Sequence, residues 1–231
     1  FKKKEKFLGK FAYSNEKFLN SLNLPEEIKY AVMINAKEFI GSEDLLKKFF
    51  IKSNLSKVKI VRVAVNIKDY FYCKKICLFL KRKGYFVGLN LMQSHDLDKK
   101  NYKKISLDIK KWGLVDILYF ADSLGCMNNQ DIKLISRVLV DNFRGSVGIH
   151  AHNNKSLALS NTLTAIEEGV NWFDATITGM GRGAGNTETE HLSTECNLKK
   201  ILKLNSSELI STVDDFNKLK KKYNWGSNIF Y

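Results

Sequence analysis

The sequence predicts an α/β fold on a parallel sheet, a (β/α)8 barrel (TIM barrel) lacking its first two strands. Three observations predict it. Six short apolar, β-branched runs recur along 231 residues, starting at residues 30, 59, 85, 115, 146 and 172. Amphipathic stretches at helical spacing separate them. The starts lie about 26–31 residues apart, and a barrel of eight βα units takes roughly 31 residues per unit. Strands that alternate with helices mean βα units and a parallel sheet. A complete six-stranded open sheet fits the same pattern. The chain begins with Phe1 and not Met, which favours a barrel whose first strands lie upstream.

Residues 1–28 hold a weakly helical stretch, NEKFLNSLNL, and no clear strand. YAVMIN (30–35) is the first strand and KIVRVAVN (59–66) the second. Cys73, Ile76, Cys77 and Leu80 then mark one face of a helix. The third strand is YFVGLNLMQ (85–93), followed by a helical face of Tyr102, Ile105, Ile109 and Trp112. The fourth is VDILYFADS (115–123), followed by Ile132, Ile135, Leu139 and Phe143. SVGIHAHN (146–153) and WFDATITGMG (172–181) are the fifth and sixth. A short helix is expected from Ser207 to Tyr223. Residues 1–204 are thus read as one barrel domain and 205–231 as a C-terminal helical tail.

Composition excludes several classes. Hydrophobic residues at 44% and charged residues at 27% are the proportions of a folded chain, not a disordered one. No apolar run approaches the ~18 residues of a membrane span. The net charge of +14 invites a nucleic-acid reading, but only 5 of the 38 basic residues are Arg. The lysines are scattered in pairs along helical segments and form no concentrated patch. Solvated helix faces explain them, so neither nucleic acid nor membrane is an expected partner. Four cysteines make no disulfide framework, and reduced thiols in the cytoplasm are expected. FKKKEKF is no secretion signal, since no apolar region follows it.

The chemistry gathers at the ends of three strands. His150 and His152 lie two apart on one strand, so they project from the same face with Cβ atoms about 7 Å apart. The C-terminal ends of parallel strands are where barrels place active sites. Two adjacent imidazoles are half of a divalent-metal site, and oxygen ligands must come from elsewhere. GMGRGAGN (179–186) is a Gly-rich loop that fits no phosphate-binding fingerprint, because Ala184 stands where GxGxxG needs glycine and no GK[ST] follows. It is read as a loop that approaches a ligand closely, with Arg182 and Gly183 on the substrate side. Asn186 is either part of the site or a helix cap. In ADSLGCM (121–127), Asp122 and Ser123 stand at a strand end as ligand-orienting groups or as loop caps. LNLMQSHD adds Asn90, Gln93 and His95, the last on the loop surface.

VGIHAHNN, FADSLGCM, LMQSHD and GMGRGAGNTETE occur in the order and at the spacing found in 4-hydroxy-2-oxovalerate aldolases. More broadly, residues 29–192 resemble the catalytic barrel of the metal-dependent lyases that include hydroxymethylglutaryl-CoA lyase and isopropylmalate synthase. The resemblance implies a (β/α)8 barrel binding Mn2+ or Mg2+ through His150 and His152, with Asn186 at or beside the metal. It implies that Ser123 contacts a 2-oxo acid, and that the ion acts as a Lewis acid in aldol cleavage to pyruvate and an aldehyde. The family's third ligand is an Asp in an Arg-Asp-Gly motif on the first strand, beside a catalytic Arg. No Arg-Asp-Gly occurs in this sequence, so those groups are expected upstream of Phe1 and the isolated chain is expected to be inactive.

The aldolases also carry a C-terminal helical region that contacts an acylating aldehyde dehydrogenase and supplies a substrate-binding Tyr. Residues 205–231 are too short for it, which argues against that partner here. A homo-oligomer is compatible with the sequence. The competing enzyme reading is an acyl-CoA-using lyase or synthase. The lyases carry a Cys in the loop at 179–186, and this chain has none. The synthases carry Gly-Glu-Arg there, where this chain has Gly181-Arg182-Gly183. A degenerate, non-catalytic barrel is a third reading.

Overall fold

The computed structural model describes residues 9–203 and 205–227. The basic start FKKKEKF and the outer ends of the ranges 1–204 and 205–231 lie outside the described residues. One wholly parallel sheet holds β1 (Tyr30–Asn35), β2 (Val58–Asn66), β3 (Phe86–Met92), β4 (Ile117–Asp122), β5 (Ser146–Ala151) and β6 (Trp172–Phe173). Strand order in the sheet equals order in the chain. A doubly wound sheet reverses at a switch point. This one never reverses, so its winding is that of a barrel.

Eight helices accompany the described strands: α1 (Glu16–Asn20), α2 (Glu43–Phe49), α3 (Lys74–Arg82), α4 (Lys99–Trp112), α5 (Asn129–Phe143), α6 (Ala158–Glu167), α7 (Thr189–Leu198) and α8 (Ile210–Tyr223). Local chemistry sets their ends. Asp98 caps α4 by accepting from the Asn101 amide, and Gly113 closes it in the left-handed region. Asn128 and Asp131 form a reciprocal capping box at the start of α5.

Alternation along the strands sorts the side chains. Val61, Val63, Val65, Leu89, Leu91, Leu118, Phe120 and Ile149 form one core with helix residues such as Ile76, Leu80, Ile109 and Leu139. The opposite face carries polar and charged groups of the strands among smaller apolar ones. Register aligns Arg62 with Gly88, Asn90 with Tyr119, Tyr119 with Gly148, and Ala121 with His150. β2 and β6 are four strand positions apart, roughly 19 Å in a flat sheet. Yet Arg62 on β2 reaches Asp174, the residue after β6, at 2.8 Å. Phe86 of β3 also stacks on Trp172 of β6, centroids 5.9 Å apart. The sheet is therefore strongly curved, with the polar face on its concave side, as the barrel reading requires.

Three boundaries differ from the sequence expectation. The sixth strand stops at Phe173, because its continuation leaves β5 and pairs instead with the returning loop, Thr176 across from Glu188, before the left-handed Thr178 (φ 51°) in the tight turn Ile177–Gly179. His152 lies just past β5, in an isolated antiparallel bridge with Asn186. The last helix proper begins at Ile210, after a tight turn over Ser206–Leu209. The segment after α8 packs on the Gly-rich loop. Trp225 Nε1 and Lys220 Nζ both donate to the Thr178 carbonyl, at 3.0 and 3.3 Å, and the Gly226 amide donates to the Gly183 carbonyl. Among the described residues no helix is long and apolar enough to cross a membrane. All four cysteines are free thiols.

Candidate metal centre on the concave face

The two histidines meet where the sequence places them. Their rings are 5.0 Å apart, edge to face. Burial, the neighbouring His150 and the Arg182 charge push the His152 imidazole down to about 4. It is therefore neutral at pH 7, with a nitrogen lone pair available to a cation.

Asn186 joins them through the backbone. The Gly-rich loop returns so that Asn186 pairs across from His152, while the Asn153 amide donates to the Gly185 carbonyl at 2.9 Å. Gly185 makes this return possible. Its φ is 83°, and a Cβ there would lie 2.2 Å from the Gly179 carbonyl oxygen. Gly183 is also left-handed, at φ 61°. Asn186 is buried, and its Oδ1 has no hydrogen-bond partner while Nδ2 donates to the Met180 carbonyl. A buried acceptor without a donor is costly unless a ligand satisfies it. Asn186 is not the cap of the following helix, since α7 is preceded by Glu188 at its cap position.

Beneath the pair lies a charged network. His150 Nδ1 is 2.8 Å from Asp174 Oδ2. The Arg62 guanidinium forks onto both Asp174 oxygens at 2.8 Å each and donates from Nε to Asn90 Oδ1. It also lies 3.8 Å above the Tyr119 ring. Gly148 gives that ring its place, since a Cβ there would stand 2.4 Å from it. Burial pushes the Asp174 carboxyl up, but hydrogen bonds from His150 and Arg62 outweigh it and hold the group below the ordinary carboxylate range.

Arg182 and Ser123 meet at the rim: Arg182 is exposed and donates to the Ser123 carbonyl at 3.2 Å. Ser123 Oγ accepts from the Gln93 amide at 3.0 Å. Asp122 departs from the expectation of a substrate ligand. Ala121, not Asp122, stands opposite His150, so the Asp122 side chain lies on the other face of the sheet. It is fully buried and accepts from the Cys126 and Met127 amides at 3.0 and 3.1 Å, closing the loop. Burial pushes its carboxyl up, against those two donors.

Arg62 and Asp174 escaped the sequence reading. The available signal was a lone Arg in an apolar strand run of a chain rich in Lys, and an Asp near the start of the sixth apolar run. Among the described residues no group of three or more His, Cys, Asp or Glu is placed to hold a metal. The donor set here is two imidazoles and one amide oxygen. It fits a divalent cation and leaves coordination positions open.

The family profile described as HMGL-like matches residues 47–220. The chain belongs to the HMGL-like family. Among curated relatives of this HMGL-like protein, the 4-hydroxy-2-oxovalerate aldolase of Carboxydothermus hydrogenoformans is 35% identical over 134 residues, 58% of this chain and 40% of that one. The 4-hydroxy-2-oxovalerate aldolase 4 of Rhodococcus opacus is 33% identical over 136 residues, 59% of this chain and 39% of that one. The chain thus spans about two fifths of the length of these curated relatives. Among solved structures, the N-terminal domain of a protein assigned as an aldolase from Bacteroides vulgatus superposes with a TM-score of 0.87 at 29% identity. That match covers 99% of this chain and 75% of the other. The HMG-CoA lyase of Bacillus subtilis shares the fold, with a TM-score of 0.72 at 15% identity, covering 90% and 75%.

Proposed function

We propose that this chain forms the metal-binding part of a divalent-metal-dependent aldolase that cleaves a 4-hydroxy-2-oxo acid to pyruvate and an aldehyde. The observation that carries this reading is the unpartnered, buried Oδ1 of Asn186, a residue whose backbone pairs across from His152, beside His150. His150, His152 and Asn186 would hold Mn2+ or Mg2+. When bound, such an ion supplies a Lewis acid that polarises a substrate carbonyl and stabilises negative charge as a carbon–carbon bond breaks.

The chain's own residues prepare the rest. His152 stays neutral through its burial. Arg182 presents an exposed guanidinium at the rim, beside Ser123, where an incoming carboxylate meets a fixed positive charge. The Gly-rich loop brings backbone close to the site because Gly183 and Gly185 accept left-handed torsions. Names of the curated relatives support the 4-hydroxy-2-oxo acid as substrate class. The absence of Cys from 179–186 counts against an acyl-CoA lyase. Cytoplasmic reduced thiols are part of the same proposal.

A coupled assay for pyruvate tests it, using the complete product of the gene that encodes this chain. With 4-hydroxy-2-oxopentanoate and Mn2+, pyruvate release is expected, abolished by EDTA and restored by Mn2+ or Mg2+. Residues 1–231 alone are expected to release none, since the sequence holds no Arg-Asp-Gly motif. Release of acetyl-CoA from a 3-hydroxyacyl-CoA, with no pyruvate from the oxo acid, would replace this reading with the acyl-CoA one.

A further inference from the structure

We propose that Asp174 is a positioning residue that fixes the tautomer of His150, and that Arg62 fixes Asp174 in turn. The residue lies outside every motif that carries the family resemblance, in a loop between the short strand β6 and the turn Ile177–Gly179.

The argument is one of donors and acceptors. Arg62 has only donors, and both oxygens of Asp174 face its fork at 2.8 Å. The carboxylate therefore meets Arg62 as an acceptor. Its Oδ2 also stands 2.8 Å from His150 Nδ1. An ionised carboxylate has no proton to give, so the proton in this contact belongs to Nδ1. With that proton on Nδ1, the lone pair that a neutral imidazole offers is the one on Nε2. A free neutral imidazole distributes its proton between the two nitrogens, and a metal ligand whose other nitrogen is held by a carboxylate is oriented and made more basic.

The geometry shows why Asp174 is itself held still. Arg62 is tied at Nε to Asn90 and lies flat on Tyr119, so its fork has a fixed direction. The side chains of Arg62, Asp174 and His150 are 14%, 20% and 25% exposed, which leaves little water to compete for the contact. A chain of contacts thus runs from β2 across the concave face to the ring on β5. It orients a nitrogen without touching substrate.

The consequence for metal binding rests on His150 being a ligand, as proposed above, whereas the tautomer does not. Two measurements on the complete product of the gene that encodes this chain separate them. A two-bond 1H–15N correlation spectrum of the metal-free protein reads the tautomer, with the His150 signals assigned by their loss in His150→Gln. The wild type is expected to carry its proton on Nδ1, Asp174→Ala to shift it to Nε2, and Asp174→Glu to retain Nδ1. Mn2+ affinity is expected to fall about 10–100-fold in Asp174→Ala and to recover in part in Asp174→Glu.

A wild-type His150 protonated on Nε2 would overturn the proposal on its own, even if Asp174→Ala failed to fold. So would an unchanged tautomer in a folded Asp174→Ala. A wild-type chain with the Nδ1 proton that takes up no Mn2+ would support the positioning of the ring and contradict its role as a metal ligand.

Discussion

Arg62 grips Asp174 through two parallel 2.8 Å bonds, although 112 residues and four strand positions separate them. The contact exists only because the sheet curls. It ties β2 to the end of β6 across the concave face, next to His150. Breaking it tests whether the curvature and the site depend on each other.

Replacing Arg62 with Ala would leave the largely buried Asp174 carboxylate without its counter-charge. A loss of about 3 kcal/mol is expected from removing one partner of such a pair. Urea unfolding of the variant measures it. Arg62→Lys should fall between the two, because an ammonium keeps the charge and loses the fork. Equal stability of wild type and Arg62→Ala would mean that the pair does not hold the sheet curved.

Asn186→Ala separates ligand binding from folding. The Oδ1 atom it removes makes no hydrogen bond and the Nδ2 bond to the Met180 carbonyl is long, at 3.4 Å, so stability should fall by about 1 kcal/mol or less. Mn2+ affinity should drop by more than about tenfold, since a ligand oxygen is lost. Gly185→Ala should do the reverse in kind. Its Cβ strikes the Gly179 carbonyl oxygen, so stability falls by roughly 1–3 kcal/mol through strain at φ 83° and metal binding falls with it.

Tyr70 gives the fold a measurable alkaline limit. Burial pushes its phenol up to about 12, helped by the 2.9 Å bond to Asp108. The unfolded phenol titrates near 10, so the folded chain holds this proton more tightly. The stabilisation is complete below about pH 10 and is lost as pH rises towards 12. The difference in unfolding free energy between wild type and Tyr70→Phe should therefore shrink across that window. A constant difference from pH 9 to 12 would remove Tyr70 from the account.

Thiol reactivity should follow burial. Cys73 is fully buried, its thiol pushed up to about 12 by burial and by Asp69, and Cys77 is pushed higher still. Cys196 is fully buried too, whereas Cys126 is half-buried. A disulfide reagent at pH 8 should label Cys126 in the native protein and the other three only after urea. Rapid labelling of Cys77 without denaturant would show that α3 does not pack as described.

The period of the apolar runs made the six strands legible, and the spacing of His150 and His152 made their shared face legible. Alternation alone could have placed Asp122 away from the site, had the register of Ala121 against His150 been known. What periodicity hides is pairing across the curl. Arg62 and Asp174 come together only through the curvature of the sheet, and no local pattern encodes a contact over 112 residues. The sixth run looks extended through Thr176 in the sequence, but its switch of partner from β5 to Glu188 in the returning loop has no sequence signature.

Calorimetric titration of Mn2+ into the wild type and into His152→Ala tests the central claim most directly. His152 is neutral, lies beside His150 and pairs across from Asn186, so one site is expected in the wild type. The variant should lose most of that affinity, because it lacks a direct ligand. Mn2+ affinity unchanged in a folded His152→Ala would contradict the account.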